Sequence, residues 1–158
     1  MRATRTAQAL ATCATALALA ACGQSSASRH PTLAGLPLTS GARVVASVNS
    51  CDRGANPYCA LQLVVVGSRY PSSTALLNSE EKHLHSLGWT ATGGDTGAEM
   101  AADSPGHKLR LTYATASDDL RGLDLGWIQR SRPIARALSG VIFDRAPALS
   151  LMLETGSS

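Results

Sequence analysis

Large rings and charges are both scarce in this chain. Its 158 residues include one Phe, two Trp and three Tyr, and only 16% are Asp, Glu, Lys or Arg. So few rings in so short a chain exclude a two-lobed solute receptor, which grips its ligand between domains. Neither sign of charge is in strong excess: the formal net charge is +3, and such a balance does not point to a nucleic-acid partner. No apolar run reaches the roughly twenty residues that a membrane-spanning helix requires. No internal repeat is visible. Also missing are an H-E-x-x-H or C-x-x-C metal pattern, a G-x-S-x-G nucleophile elbow, a P-loop and a dinucleotide-binding glycine fingerprint. The sequence therefore points to no catalytic centre, no metal and no cofactor.

What the chain does have is concentrated at its start. Arg2 and Arg5 form a positive opening, residues 9–20 an apolar stretch, and Leu19-Ala20-Ala21 a run that ends in small residues. These are the three parts of an export signal, and Cys22 follows at once. Leu19-Ala20-Ala21-Cys22 resembles the lipobox of bacterial lipoproteins, and the preference for Arg over Lys together with abundant Ala is similar to the actinobacterial kind. The resemblance covers the leader alone. It implies that the Cys22 thiol receives a diacylglyceryl group, that the chain is cut just before Cys22, and that the protein is held on the extracytoplasmic face of the cell membrane. Two acyl chains suffice for stable anchoring. The expected organisation is a signal peptide over 1–21, the lipidated cysteine and a flexible Ser-, Gly- and Pro-containing tether over 22–41, and a single domain over 42–158.

The cysteines fit that scheme. Cys13 leaves with the leader and Cys22 carries lipid, so Cys51 and Cys59 remain. In an exported chain two thiols at this spacing are expected to form a disulfide. Gly54, Asn56 and Pro57 between them permit the reversal it needs. The rival, a thiolate nucleophile with His107 as its base, would require a reduced cysteine outside the cell.

The expected architecture is a small α+β domain with strand-helix-strand-strand order and a C-terminal helix. Residues 60–67 read as a short apolar strand covered by helices. Tyr70-Pro71 breaks it, Ser72 or Ser73 offers an N-cap, and the next element runs to Leu87, with Gly88 as its left-handed stop and Trp89 as the apolar follower. At about 100° per residue Leu76, Leu77, Leu84 and Leu87 share one stripe. Residues 89–92 and 107–114 read as strands; in the second, Leu109, Leu111 and Tyr113 alternate with Lys108, Arg110 and Thr112. A second helix is expected over 132–143, opened by Pro133, with Ile134, Leu138, Val141 and Ile142 on one face. Residues 44–49 fit a strand or a helical turn, and 148–153 fit either period.

Four residues stand out as binding candidates: Glu80, Asp95, Glu99 and His107. Glu80 falls at the centre of the leucine stripe, where an unpaired carboxylate is costly to bury. An ion pair with Arg69 or Arg110 would offset that cost; the alternative is a place at the rim of a small cleft. Asp95-Thr96-Gly97 resembles the tripeptide of aspartic proteases, but Gly93-Gly94 precede it in place of an apolar strand and it occurs once, so it reads as a glycine-rich turn. Asp95, Glu99, Asp103 and His107 recur every four residues, a spacing that would gather a cation on a helix. Gly93, Gly94, Gly97, Pro105 and Gly106 oppose a helix there, and the stretch reads as a polar connector. His83 and His85 fall on different sides of their helix. Arg130, Arg132, Arg136 and Arg145 make a basic stretch, read as a solvated face within reach of anionic head groups or envelope polymers.

Three functional classes follow. A binding or interaction module of the envelope, with a protein or polymer as partner, predicts an apolar or basic surface patch. A small-ligand carrier predicts a pocket beneath the first helix. An envelope hydrolase predicts a cleft in which Asp95, Glu99 and His107 converge. The binding or interaction module is the leading expectation.

Overall fold

The computed structural model describes residues 31–51, 59–93, 99–120 and 130–155. Strands β1 (Arg43–Cys51), β2 (Cys59–Val66), β3 (Thr90–Ala91), β4 (Glu99–Asp103), β5 (Leu109–Thr115) and β6 (Ala148–Thr155) form one sheet in the order β1-β2-β6-β5-β4-β3. Every pairing is antiparallel. Helix α1 (Ser73–Ser86) follows β2, the short α2 (Ala116–Leu120) follows β5, and α3 (Arg132–Phe143) precedes β6. This is a small α+β domain.

β2 and β6 occupy the centre because both of their faces are covered. Leu61, Leu63 and Val65 of β2 and Leu149, Leu151 and Leu153 of β6 pack with Leu111 and Tyr113 of β5 against Leu76, Leu77 and Leu84 of α1. On the other face Val64, Val66 and Ala148 pack against Ile134 and Leu138 of α3. Each large aliphatic side chain so buried contributes roughly 1.5–3 kcal/mol. With cover on both sides there is no wet face on which polar residues must alternate. That is why 148–153 carries no strand period of its own, and pairing with β2 and β5 makes it a strand. Residues 44–49 belong to the edge strand β1, whose register is interrupted between Val44 and Ala46. Burial alternates along β1, but the apolar Val45 stands at an exposed position beside the interruption, so the residue types do not show that alternation.

Local signals set the ends of α1. The Ser72 hydroxyl accepts the Ala75 N–H at 3.1 Å, satisfying one of the donors that a helix start leaves open. At the other end the Trp89 N–H donates to Leu84 O and the Gly88 N–H to His85 O, each at 3.0 Å, with Gly88 at φ 79°. This is the paired-bond stop that a left-handed glycine permits. Leu87, expected in the stripe, is 46% exposed. It lies one position past the helix, with φ −95° and ψ 9°, and so leaves the helical face; Trp89 is buried instead.

Other expectations are corrected by packing. From Pro31 onward the anticipated tether is part of the domain: a short 3-10 turn spans Leu33–Gly35, Leu36 is 7% exposed within the α1-side core, and Thr39 is buried. Leu36, with Leu38 partly buried beside it, docks a segment whose composition otherwise reads as linker. The polar connector expected before His107 contains a strand, β4, whose Ala101 and Ala102 are buried between its neighbours. His107 itself lies in a 3-10 turn, Pro105–His107, and the following strand begins at Leu109. Cys51 and Cys59 face each other across β1 and β2 and are joined by a disulfide, with Cα atoms 4.0 Å apart.

Candidate functional site

Helix α1 covers two features of chemical interest. The first surrounds Glu80, which is fully buried. Its Oε2 accepts the backbone N–H of Thr39 at 2.8 Å, while Oε1 has no hydrogen-bond partner among the described residues. The Thr39 hydroxyl is 2.8 Å from Ser79 Oγ and 3.1 Å from Tyr70 Oη, and Tyr70 donates to the carbonyl of Ser40 at 2.9 Å. A polar knot thus ties residues 39–40 to α1 at a point otherwise lined by leucine. Burial raises the Glu80 carboxyl from 4.5 to about 7, against the lowering effect of the Thr39 N–H. Among the described residues no arginine pairs with Glu80. The Arg69 side chain runs beside Gly41, and Arg110 is an exposed residue of β5. A backbone donor from the N-terminal segment takes the role, because that segment is docked rather than loose.

The second feature is a half-open groove of about 350 Å³ toward the C-terminal end of α1. It is lined by Glu81, Lys82 and His85 of α1, by Trp89, and by Ala91, Ala102 and Tyr113 of β3, β4 and β5. Ala91 and Ala102 are paired across β3 and β4, so their side chains share a face of the sheet. Their small size leaves the space. Tyr113 is 1% exposed; burial, then the charges of Glu81 and Glu80, push its phenol up to about 12. The groove therefore pairs apolar and aromatic walls with mixed charge at its mouth.

The remaining sequence candidates do not assemble. Glu99 opens β4 and His107 lies beyond its far end; five residues of strand hold their positions well over 10 Å apart along the sheet. His107 Nδ1 lies 3.3 Å from Asp103 Oδ2, and its side chain is 73% exposed. Asp95 lies outside the described residues, as does Cys22. Among the described residues no three His, Cys, Asp or Glu side chains gather into a metal-binding group.

The basic stretch divides. Arg130 is not part of a solvated face: its Nη2 and Nε donate to Asp119 Oδ1 and Oδ2 at 2.6 and 3.2 Å, joining α2 to the chain entering α3. Arg132 and Arg136 are exposed and line a shallow hollow of about 380 Å³ with Pro133 and Ala137. On the same helix Phe143 is 89% exposed.

Sequence reasoning missed the groove. Trp89 was legible as the residue after a helix stop and Tyr113 as one position of an alternating strand, but no local signal says that the two share a cavity. Comparison with family models, with curated proteins and with solved structures returns no match. The groove is read from its own chemistry.

Proposed function

We propose that the protein is an extracytoplasmic lipoprotein, held at the cell membrane by a diacylglyceryl group on Cys22, whose domain binds a small ligand in the groove beneath α1. The groove carries the binding part of this reading. Its volume of about 350 Å³ falls in the range of small-molecule sites, and its aromatic and aliphatic walls with a few polar groups match their usual make-up. The anchoring part rests on the leader of Arg2, Arg5, an apolar run and Leu19-Ala20-Ala21-Cys22. The disulfide between Cys51 and Cys59 supports it, since such bridges persist in oxidising compartments. The described structure starts at Pro31, nine residues after Cys22, and that length of chain spans at most about 30 Å. Such a tether holds the groove near the membrane surface.

The test is a fragment screen read by thermal melting, with Ala91→Phe as the blocked control. Ala91 is exposed, so a phenyl ring there fills the groove without entering the core. Fragments that raise the melting temperature of the parent and not of the variant support the reading. A panel that acts equally on both, or on neither, removes it.

Phe143, exposed at the far end of α3 on the same side as Arg132 and Arg136, favours a second reading in which this helix meets an acidic envelope protein or polymer. Phe143→Ser together with Arg136→Glu would abolish that contact and leave the groove untouched. Retention of an acidic partner by the double variant would reject it.

A further inference from the structure

Residues 31–42 lie on the α1 side of the sheet without joining it. Their backbone hydrogen bonds, from Gly35 to Thr32, Leu36 to Leu33 and Ala42 to Thr39, stay within the segment. Pro31 and Leu36 are buried, and Leu38 and Ala42 are partly so. Among the described residues, the hydrogen bonds that join this strap to the rest of the domain converge on Thr39 and Ser40: the Thr39 N–H donates to Glu80, the Thr39 hydroxyl meets Tyr70 and Ser79, and the Ser40 carbonyl accepts from Tyr70. Gly41, at φ 82°, then turns the chain into β1.

The carboxyl at this junction has no exposed surface and a single donor. Its Oε2 takes the Thr39 N–H, and its Oε1 has no partner among the described residues. An ionised carboxylate so placed is costly, because one of its oxygens has no donor; a neutral carboxyl loses far less. Opening the strap removes the Thr39 cover and admits water to Glu80. The two protonation states therefore favour opposite positions of the strap.

The groups that face Glu80 do not cancel this preference. Residues 31–42 contain no ionisable side chain. On this face β2 and β6 present Leu61, Leu63, Val65, Leu149, Leu151 and Leu153. From β5 comes Tyr113, whose phenol is raised to about 12 and stays neutral. Ahead of α1, Tyr70 is engaged by Thr39 and Ser40, and the exposed Arg69 lies along Gly41. On α1 itself Glu81 and His83 are half-buried and Lys82 is exposed.

We propose that residues 31–42 are a pH-sensitive strap, latched to α1 through Thr39 while Glu80 is protonated and released about Gly41 when Glu80 ionises. Burial holds the carboxyl at about 7 in the latched form, against the ordinary 4.5. The latch is at full strength below the lower value, weakens as pH rises and levels off above the upper one. Between pH 5 and pH 8 the opening equilibrium moves toward release by about fifty- to hundredfold. On the lipid-anchored reading above, release adds residues 31–42 to the chain between Cys22 and β1, about 40 Å at full extension. The distance at which the domain can stand from the membrane then depends on pH.

The experiment is native-state amide exchange on the chain from position 22 onward carrying Cys22→Ser, which contains every described element. Lipidation plays no part in it, so its failure and that of the anchoring reading are separate results. The Leu36, Thr39 and Ala42 amides are compared with those of β2 and β6 in low urea from pH 5 to 8, each corrected for its intrinsic exchange rate. Strap amides are expected to exchange faster than the central strands and with little dependence on urea, because a local opening exposes little surface. Their opening should rise about fifty- to hundredfold over the pH range and stay flat in Glu80→Gln. Histidines also change charge near neutrality; His83→Gln should keep the parent's rise. Leu36→Ala should raise opening at every pH and leave the rise unchanged. A strap that shares the urea dependence of β2 and β6 opens only when the domain unfolds, which overturns the proposal. So does a rise that is absent from the parent, survives Glu80→Gln or vanishes in His83→Gln. Should Glu80→Gln not fold, the profiles of the parent and of Leu36→Ala decide.

Discussion

The backbone N–H of Thr39 donates to Glu80 Oε2 at 2.8 Å, a contact that bridges 41 residues of sequence and ties the N-terminal segment to the buried face of α1. Because Oε1 has no such donor among the described residues, the carboxyl is held closer to its neutral than to its charged form.

Stability should therefore depend on pH through Glu80. Its folded pKa, about 7, lies above the ordinary 4.5, so the folded state binds the proton more tightly than the unfolded chain does. The contribution is fully present below the lower value and is lost as pH rises to the upper one. The shift corresponds to about 3 kcal/mol. Chemical unfolding from pH 4.5 to 8 should show a decline of that order that levels off above pH 7. Glu80→Gln keeps an acceptor for Thr39 and cannot ionise, so its decline should be smaller by the same amount. Parallel profiles for the two proteins would mean that Glu80 is solvated.

Arg130 and Asp119 form a forked pair in which the Asp119 side chain is 3% exposed. Removing one member strands a buried charge, which typically costs about 3–5 kcal/mol. Arg130→Met should destabilise by that order in urea unfolding, while Arg136→Met, on an exposed position, should change stability by less than about 0.5 kcal/mol. Similar small losses in both would place Arg130 on the solvated face with its neighbours.

The bridge between Cys51 and Cys59 closes a short loop between β1 and β2. On the chain-entropy view a loop of this size is worth roughly 2.5 kcal/mol. Mass spectrometry of the unreduced protein should find the two cysteine peptides linked, and the Cys51→Ala, Cys59→Ala double variant should lose stability of that order. Alkylation of both thiols in the unreduced protein would contradict the bridge.

Anchoring is tested separately, through Cys22. Cys22→Ser should abolish metabolic lipid labelling and partitioning into detergent, because no other residue of the box offers a thiol. Persistent labelling of the variant would transfer the lipid to another site and end the lipobox reading.

Local rules reached some elements directly. Ser72, Gly88 and Pro133 act through bonds and dihedral angles within a few residues of themselves, so the span of α1 and the start of α3 were legible in advance. The apolar run of β2 announced a strand covered on both sides, and the spacing of Cys51 and Cys59 announced their pairing. Where a residue's state depends on a distant neighbour, the sequence was silent or misleading. Leu36 looked like linker because Gly35, Pro37 and the serines before them break any apolar period, yet it has a core to enter once α1 lies over the sheet. Glu80 seemed to call for an arginine because carboxylates in apolar stripes usually find one. The donor that met it is a backbone N–H, which every residue but proline carries and which no side-chain pattern can mark.

The sequence by itself determined the ends of α1, the start of α3, the inward placement of Leu76, Leu77, Leu84, Ile134 and Leu138, the disulfide and the export and lipidation expectation, since each depends on short-range spacing or on single residue types. Only the tertiary structure decided that β6 is a strand and sits between β2 and β5, that residues 99–103 pair rather than loop, that Thr39 satisfies Glu80, and that Trp89 and Tyr113 enclose a groove with Ala91 and Ala102. All four arise from contacts across the sheet or between helix and sheet. Their energies belong to pairs of surfaces that the chain brings together only when it folds.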